Sequence, residues 1–363
     1  MKLVCVRRIT RAMCPKAAEA FLGISLFVSL PPSLLAQPPS TRMGEAIPRD
    51  VREVYDRGMQ YLAKTQTEGG DWGAGGNDSG AGVTGMGVMV FLASGEDPNF
   101  GVYSGNIRRG LRSMIRSQNA TTGYLGNSMY HHGFGMLALA EAYGAVDERN
   151  LWREADGRQA KQRSIGQSLE LAVRLAVTSQ KKNSLGAWRY GPDAQDADTS
   201  VSGAVLVGLL AARNAGIEVP DDAINRGISY YQKMTSASGQ VAYSGLGFDD
   251  SLARVSIATL VYSIAHRKDL PQFQATIDFL AKNADSANSG HGGAEYQRYY
   301  QAQALLQGDM EAWGKWNQKL IRQIKQAQQA DGSIQGQFGG AVGTSLSLLA
   351  LAVNYRFLPI YER

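Results

Sequence analysis

RGMQYLAKTQTEGGDWG, residues Arg57 to Gly73, begins as an amphipathic helix and breaks into glycines that close on a tryptophan. One such break is a helix stop; a regular series of them is the punctuation of a repeat, which decides the fold before any local reading does. The pattern recurs. In RRGLRSMIRSQNATTGYLG the interval from Arg109 to Gln118 equals that from Arg57 to Gln66, and Gly123 and Tyr124 follow. In LAVRLAVTSQKKNSLGAWRYG, Gln180 precedes Gly186 and Trp188. Fainter copies centre on Thr235, Ala284 and Gln328, which brings the total to six units.

After each break comes a second stretch, such as GVTGMGVMVFLASG, HHGFGMLALAEAYG and SVSGAVLVGLLAARNAG, apolar nearly all round and rich in small residues. That composition describes a helix packed on every side, whereas the first helix of each unit carries its charges on one face, as with Arg108, Arg109, Arg112 and Arg116. Each unit is therefore expected to be a helical hairpin with an outer and an inner member. No alternating run is long enough for a sheet; QVAYSG is too short to outweigh the helices. A lone hairpin cannot bury its inner helix, so the array must fold as one body.

The chain opens on different chemistry. Lys2, Arg7, Arg8, Arg11 and Lys16 precede the apolar run Phe21 to Leu30, then Pro31, Pro32 and Leu34-Leu35-Ala36. This reads as a cleaved signal peptide over residues 1–36 and implies export, periplasmic or secreted; the run is too short to span a bilayer. Residues 37–50 are Pro-rich and expected to be a linker, leaving 51–363 for the helical domain. The formal net charge of +5 belongs largely to the leader, so nothing points to a nucleic-acid partner. Both cysteines, Cys5 and Cys14, also lie there, which excludes a cysteine nucleophile or a thiolate metal site from the remainder.

The series Arg57, Gly58, Tyr61, Gln66, Gly70 and Trp72 resembles the repeat motif of the squalene–hopene cyclase and protein prenyltransferase superfamily. The resemblance covers Val51 to about Pro359, strongly in units one to three and faintly in four and five. It implies an all-α, (α/α)6 toroid: six hairpins, about twelve helices, in an inner and an outer ring. It also implies a central apolar cavity for an isoprenoid or other hydrophobic ligand, with working residues near the N-terminal ends of the inner helices. The motif itself is structural, its Gln amide bonding orphan helix-end groups and its Trp packing over the joint.

Candidate site residues follow from that placement: Asp78, Tyr130, His131, His132, Asp196, Asp198, Asp249, Asp250, Glu295, Tyr296 and Thr344. An acid-initiated cyclase of the superfamily uses a segment like DxDDTA, and the nearest match here is DADTSVSG, with Asp198 as the proton donor and Asp196 as its partner. The chain departs from the pattern, since aligning Asp198-Thr199 with the family's last Asp-Thr puts Ala197 at the catalytic place, and Asp196 and Asp198 become the pair only through a one-residue deletion. The zinc set of the prenyltransferases is broken too: Ser200 stands for its cysteine and Gly343 for its histidine, so no metal and no cofactor are expected. Adjacent helical residues point about 100° apart, so one of His131 and His132 faces the cavity, and His132 is taken as that one. Tyr130, His132, Asp250, Tyr296 and Tyr299 are taken to bind substrate. Two further readings stay open: a carbohydrate-active toroid, a lyase or glycosidase served by Tyr130, His132, Asp250 and Arg254, and a non-catalytic binding or scaffold ring. The expected partner is accordingly an isoprenoid-like molecule or a glycan, and peripheral membrane contact is compatible with the first.

Overall fold

The structure, a computed structural model, describes residues 47–73, 79–152, 162–245, 247–286 and 293–361. The expected signal peptide, most of the expected linker and Asp78 lie outside the described residues. One compact unit starts at Ile47. Its first helix begins at Arg49, inside the stretch read as linker.

Six hairpins follow one another. They pair Arg49–Thr65 (α1) with Ala81–Leu92 (α2), Ser104–Ser117 (α3) with Met129–Ala142 (α4), and Ile165–Lys182 (α6) with Thr199–Asn214 (α7). The second half pairs Asp221–Met234 (α8) with Leu252–Ile264 (α9), Pro271–Lys282 (α10) with Gly293–Gly308 (α11), and Met310–Ala327 (α12) with Gly340–Ala352 (α13). A single turn, Glu148–Leu151 (α5), sits between α4 and α6, and a 3-10 turn at Pro359–Tyr361 ends the described chain. There is no strand among the described residues; QVAYSG supplies one isolated bridge, Thr235 to Val241.

The second helix of each pair forms the inner ring. Each packs on the next in chain order, and α13 packs on α2, so the ring closes. Every residue of α2 is buried, as an apolar helix surrounded by others must be. The outer helices bury one stripe only, for example Ile107, Leu111 and Met114 on α3. Arg112 departs from the expected solvent face: it is buried and donates from Nη1 to the Leu151 carbonyl (2.9 Å), which gives the guanidinium an acceptor inside the wall.

The repeat motif does more than end a helix. Gln66 caps α1, and its Nε2 donates to Gly70 O (2.9 Å) and to Asn106 O in the next outer helix (3.0 Å). Gln118 joins Gly123 O and Ser168 O in the same manner, and Gln180 joins Gly186 O and Ala223 O. Gln328 bonds Gly332 O and Val54 O, so the amide that links neighbours elsewhere fastens the last outer helix to the first. At that seam Arg57 Nη2 also donates to Gln329 O (2.6 Å), and Lys325 pairs with Asp50 (2.6 Å). Gly70 explains the glycine: its φ is +92°, and a Cβ there would lie 2.3 Å from the Arg109 carbonyl, so the turn sits directly on the next helix. The two motif tryptophans are buried as expected, with Trp72 Nε1 bonded to Leu62 O (2.8 Å) and Trp188 Nε1 to Ala176 O (2.9 Å). Each such burial is worth roughly 1.5–3 kcal/mol.

Candidate functional site

The inner ring leaves a cavity of about 730 Å³ at the N-terminal ends of its helices. All six inner helices reach it, with Val83 and Met86 from α2, Tyr130 and Phe134 from α4, Ser200 from α7, Arg254 from α9, Tyr296 from α11 and Val342 and Leu346 from α13. Six helix N-termini converge there, and each carries a partial positive charge. Among the described residues no carboxylate lines the wall.

Tyr130 and Tyr296 take the places expected of them. Their rings meet edge-on with centroids 6.2 Å apart, and Tyr300 packs against Tyr296 at 4.9 Å. Burial pushes the hydroxyl pKa of both Tyr130 and Tyr296 far up, so they stay neutral donors. Tyr299 lies deeper, buried against Phe134 and Tyr300, and forms the floor's support instead of the wall.

The histidine pair is reversed relative to expectation. His131 lines the cavity, with Nδ1 accepting from Gly82 N (3.3 Å). His132 is fully buried and faces the outer ring. Its Nδ1 accepts from Leu125 N (3.2 Å), which leaves Nε2–H to donate to Ala172 O on α6 (3.0 Å). The helical turn that points one histidine inward turns its neighbour outward, and the bonding options of the joint chose between them. Burial lowers the His132 pKa to about 4.

The two aspartates of DADTSVSG do not form a carboxyl pair. Asp198 caps α7, with Oδ1 accepting from Val201 N (2.7 Å), and is completely buried behind the wall. Asp196 is exposed and bonds Arg189 Nη1 (2.8 Å), while Arg189 Nε lies 3.6 Å from the Asp198 Oδ2. The same guanidinium therefore separates them, and neither carboxylate supports a proton on the other. Burial nevertheless raises the Asp198 pKa, opposed by the Val201 hydrogen bond and by Arg189. A carboxyl whose pKa is higher folded than unfolded stabilises the fold most below the unfolded value near 3.8, and this contribution is lost as pH rises through the folded value. Asp198→Asn is thus expected to gain stability relative to the wild type as pH rises from about 4 to 7 in urea titrations; a constant difference would contradict the burial of a strained charge.

Asp250 is exposed at the rim and accepts from Gln240 Nε2 (2.6 Å), away from the cavity. The ion pair in this segment joins Arg254 to Asp249, one residue earlier than an (i, i+4) pairing requires. Thr344 holds Ile334 N (2.8 Å), and Glu295 accepts from Gln337 N (2.6 Å), so both fasten the turn before α13.

Sequence reasoning missed Arg189, Tyr190 and Tyr243. Arg189 lies over the Tyr190 and Tyr243 rings (5.4 and 5.6 Å), whose hydroxyls bond each other (2.8 Å), and Tyr190 and Tyr243 line the cavity mouth. Their signal was the motif's own tail: WRYG follows the third glycine break and VAYSG the fourth, where chain leaving the turn borders the next inner helix.

No family model and no curated protein matches the chain. Solved structures do. A variant of the type II terpene cyclase MstE from Scytonema, in complex with geranylgeranyl dihydroxybenzoate, superposes with a TM-score of 0.57 at 12% identity, covering 85% of this chain and 98% of that one. An inactive α-1,6-mannanase variant from Salegentibacter, in complex with α-1,6-mannotriose, gives 0.55 at 10% identity, covering 85% and 99%. A possible GH105 family member from Salmonella enterica gives 0.55 at 14%, covering 88% and 97%. At these identities the likeness is one of fold: the chain has the helical toroid of the terpenoid cyclases, an architecture that toroids acting on carbohydrates share with them.

Proposed function

We propose that this protein binds an isoprenoid-like hydrophobic molecule inside its ring. The observation that carries the proposal is the cavity: about 730 Å³, walled by all six inner helices, with Val83, Met86, Phe134, Phe338, Val342 and Leu346 on its apolar side. That volume suits a ligand of ordinary small-molecule size, and such sites are mostly apolar with a few placed polar groups. Export through the N-terminal leader belongs to the same proposal. Asp198 serves this site as a positioning residue, holding α7 and Arg189, since its carboxyl is shut behind the wall and hydrogen-bonded to the helix. Proton delivery to a bound alkene would need that carboxyl at the cavity surface.

The glycan reading is weaker. Glycoside hydrolysis needs two carboxyl groups flanking the bond, and the described cavity wall offers none. The test is to expose the protein to a lipid extract and to an oligosaccharide mixture, then weigh it by native mass spectrometry. A retained lipid mass that falls at least about tenfold in Met86→Trp and Val342→Trp is the expected result, because each indole occupies ligand space. Retention of oligosaccharide alone would overturn the proposal.

A further inference from the structure

The cavity is two-sided. Its α2 and α13 walls are hydrocarbon, whereas the α4, α7, α9 and α11 walls carry Tyr130, His131, Ser200, Arg254 and Tyr296. A pure hydrocarbon would leave the Tyr296 hydroxyl of that second side without a partner, and unpaired buried polar groups are costly.

Two of these groups ask for a ligand. Tyr296 is more than nine-tenths buried, and its hydroxyl has no hydrogen-bond partner among the described residues, although the phenols of Tyr130 and Tyr300 crowd it without a well-directed bond. Arg254 is equally buried on the cavity wall. Its Nε donates to Val241 O (3.0 Å) and its Nη2 to Asp249, so the Nη1 edge is not used by those two bonds. Arg254 has one carboxylate partner, the largely exposed Asp249, while Asp196 and Asp198 share Arg189. Arg254 and Tyr296 line the same cavity at converging helix N-termini, and an acceptor bearing negative charge is matched to both.

Resting on the proposal that a hydrophobic molecule occupies the ring, we infer that the ligand is an amphiphile with a carboxylate head. The head lies against Arg254 and Tyr296, and the chain runs along α2 and α13. Arg254 supplies charge and a fixed N–H direction; Tyr296 supplies a neutral donor that any oxygen head uses.

Calorimetric titration of the full chain at neutral pH with geranylgeranoic acid, geranylgeraniol and squalene tests this. The acid is expected to bind about tenfold more tightly than the alcohol, and the alcohol more tightly than squalene. Arg254→Gln should bring the acid down to the alcohol's affinity. Tyr296→Phe, which keeps the ring and its packing, should weaken acid and alcohol about threefold and leave squalene unchanged. Equal affinity for all three in the wild type, or an acid preference that survives in a folded Arg254→Gln variant, would overturn the inference while leaving the hydrophobic cavity intact. Binding of none of the three would remove the proposed function along with it. Should Arg254→Gln fail to fold, as judged by circular dichroism, the wild-type preference for the acid over the alcohol decides alone.

Discussion

Gly332→Ala is expected to destabilise the protein by about 3–5 kcal/mol, a loss found at few single sites. Gly332 has φ +91°, and a Cβ there would stand 2.3 Å from the Arg57 carbonyl. The conformational penalty alone is roughly 1–2 kcal/mol. The overlap adds to it, since backbone cannot yield without lifting the α12 turn off α1. Lifting it breaks the bonds of Gln328 to Val54 O and of Arg57 to Gln329 O, which together hold the seam. Gly144 separates the two effects: its φ is +82°, with nothing within 4 Å of a Cβ, so Gly144→Ala should cost about 1 kcal/mol. Urea unfolding of both variants checks the difference, and equal losses would mean that the seam carries no load.

His132 should dominate the acid sensitivity of the fold. Burial holds its pKa near 4 in the folded state, against about 6.5 for the free side chain. The folded value is depressed, so the neutral ring contributes stability above pH 6.5 that disappears as pH falls towards 4, about 3 kcal/mol in all. His131 shifts in the same direction through burial but stands at the cavity wall. Comparing wild type with His132→Gln cancels its share, because an amide can replace both backbone bonds without titrating. The variant should lose most of the pH dependence between 6.5 and 4. An unchanged slope would place the acid-sensitive group elsewhere.

The fold was legible because the toroid writes its joints in residue types that have few substitutes. A turn pressed on the next helix requires glycine, and two backbone carbonyls in different helices require a long amide, as at Gln66, Gln118, Gln180 and Gln328. Units four and five were faint for the same reason: at Thr235 the side chain turns back to Tyr231 O, and at Ala284 the carbonyl is instead held by Gln301 from the inner helix. The site was less legible. Tyr130 and Tyr296 could be placed because they open inner helices, whereas His132, Asp250 and Tyr299 were misplaced by rotations of one residue or by solvent competition at the rim. A single helical step decides between cavity and outer ring, and only the neighbouring helix's free carbonyl, here Ala172 O, selects the answer. Arg189 and Tyr243 lie outside any helix and reach the site through contacts between units, which periodicity does not encode.

Joining the chain's two ends through the seam tests the closed ring most directly. With Cys5 and Cys14 changed to serine, cysteines at Asp50 and Lys325, whose charged groups now touch at 2.6 Å, can be treated with a short bismaleimide. A closed ring gives rapid intramolecular cross-linking in the native monomer, abolished in urea. An open superhelix would leave the two positions far apart, and native protein that cross-links only between molecules would contradict the ring.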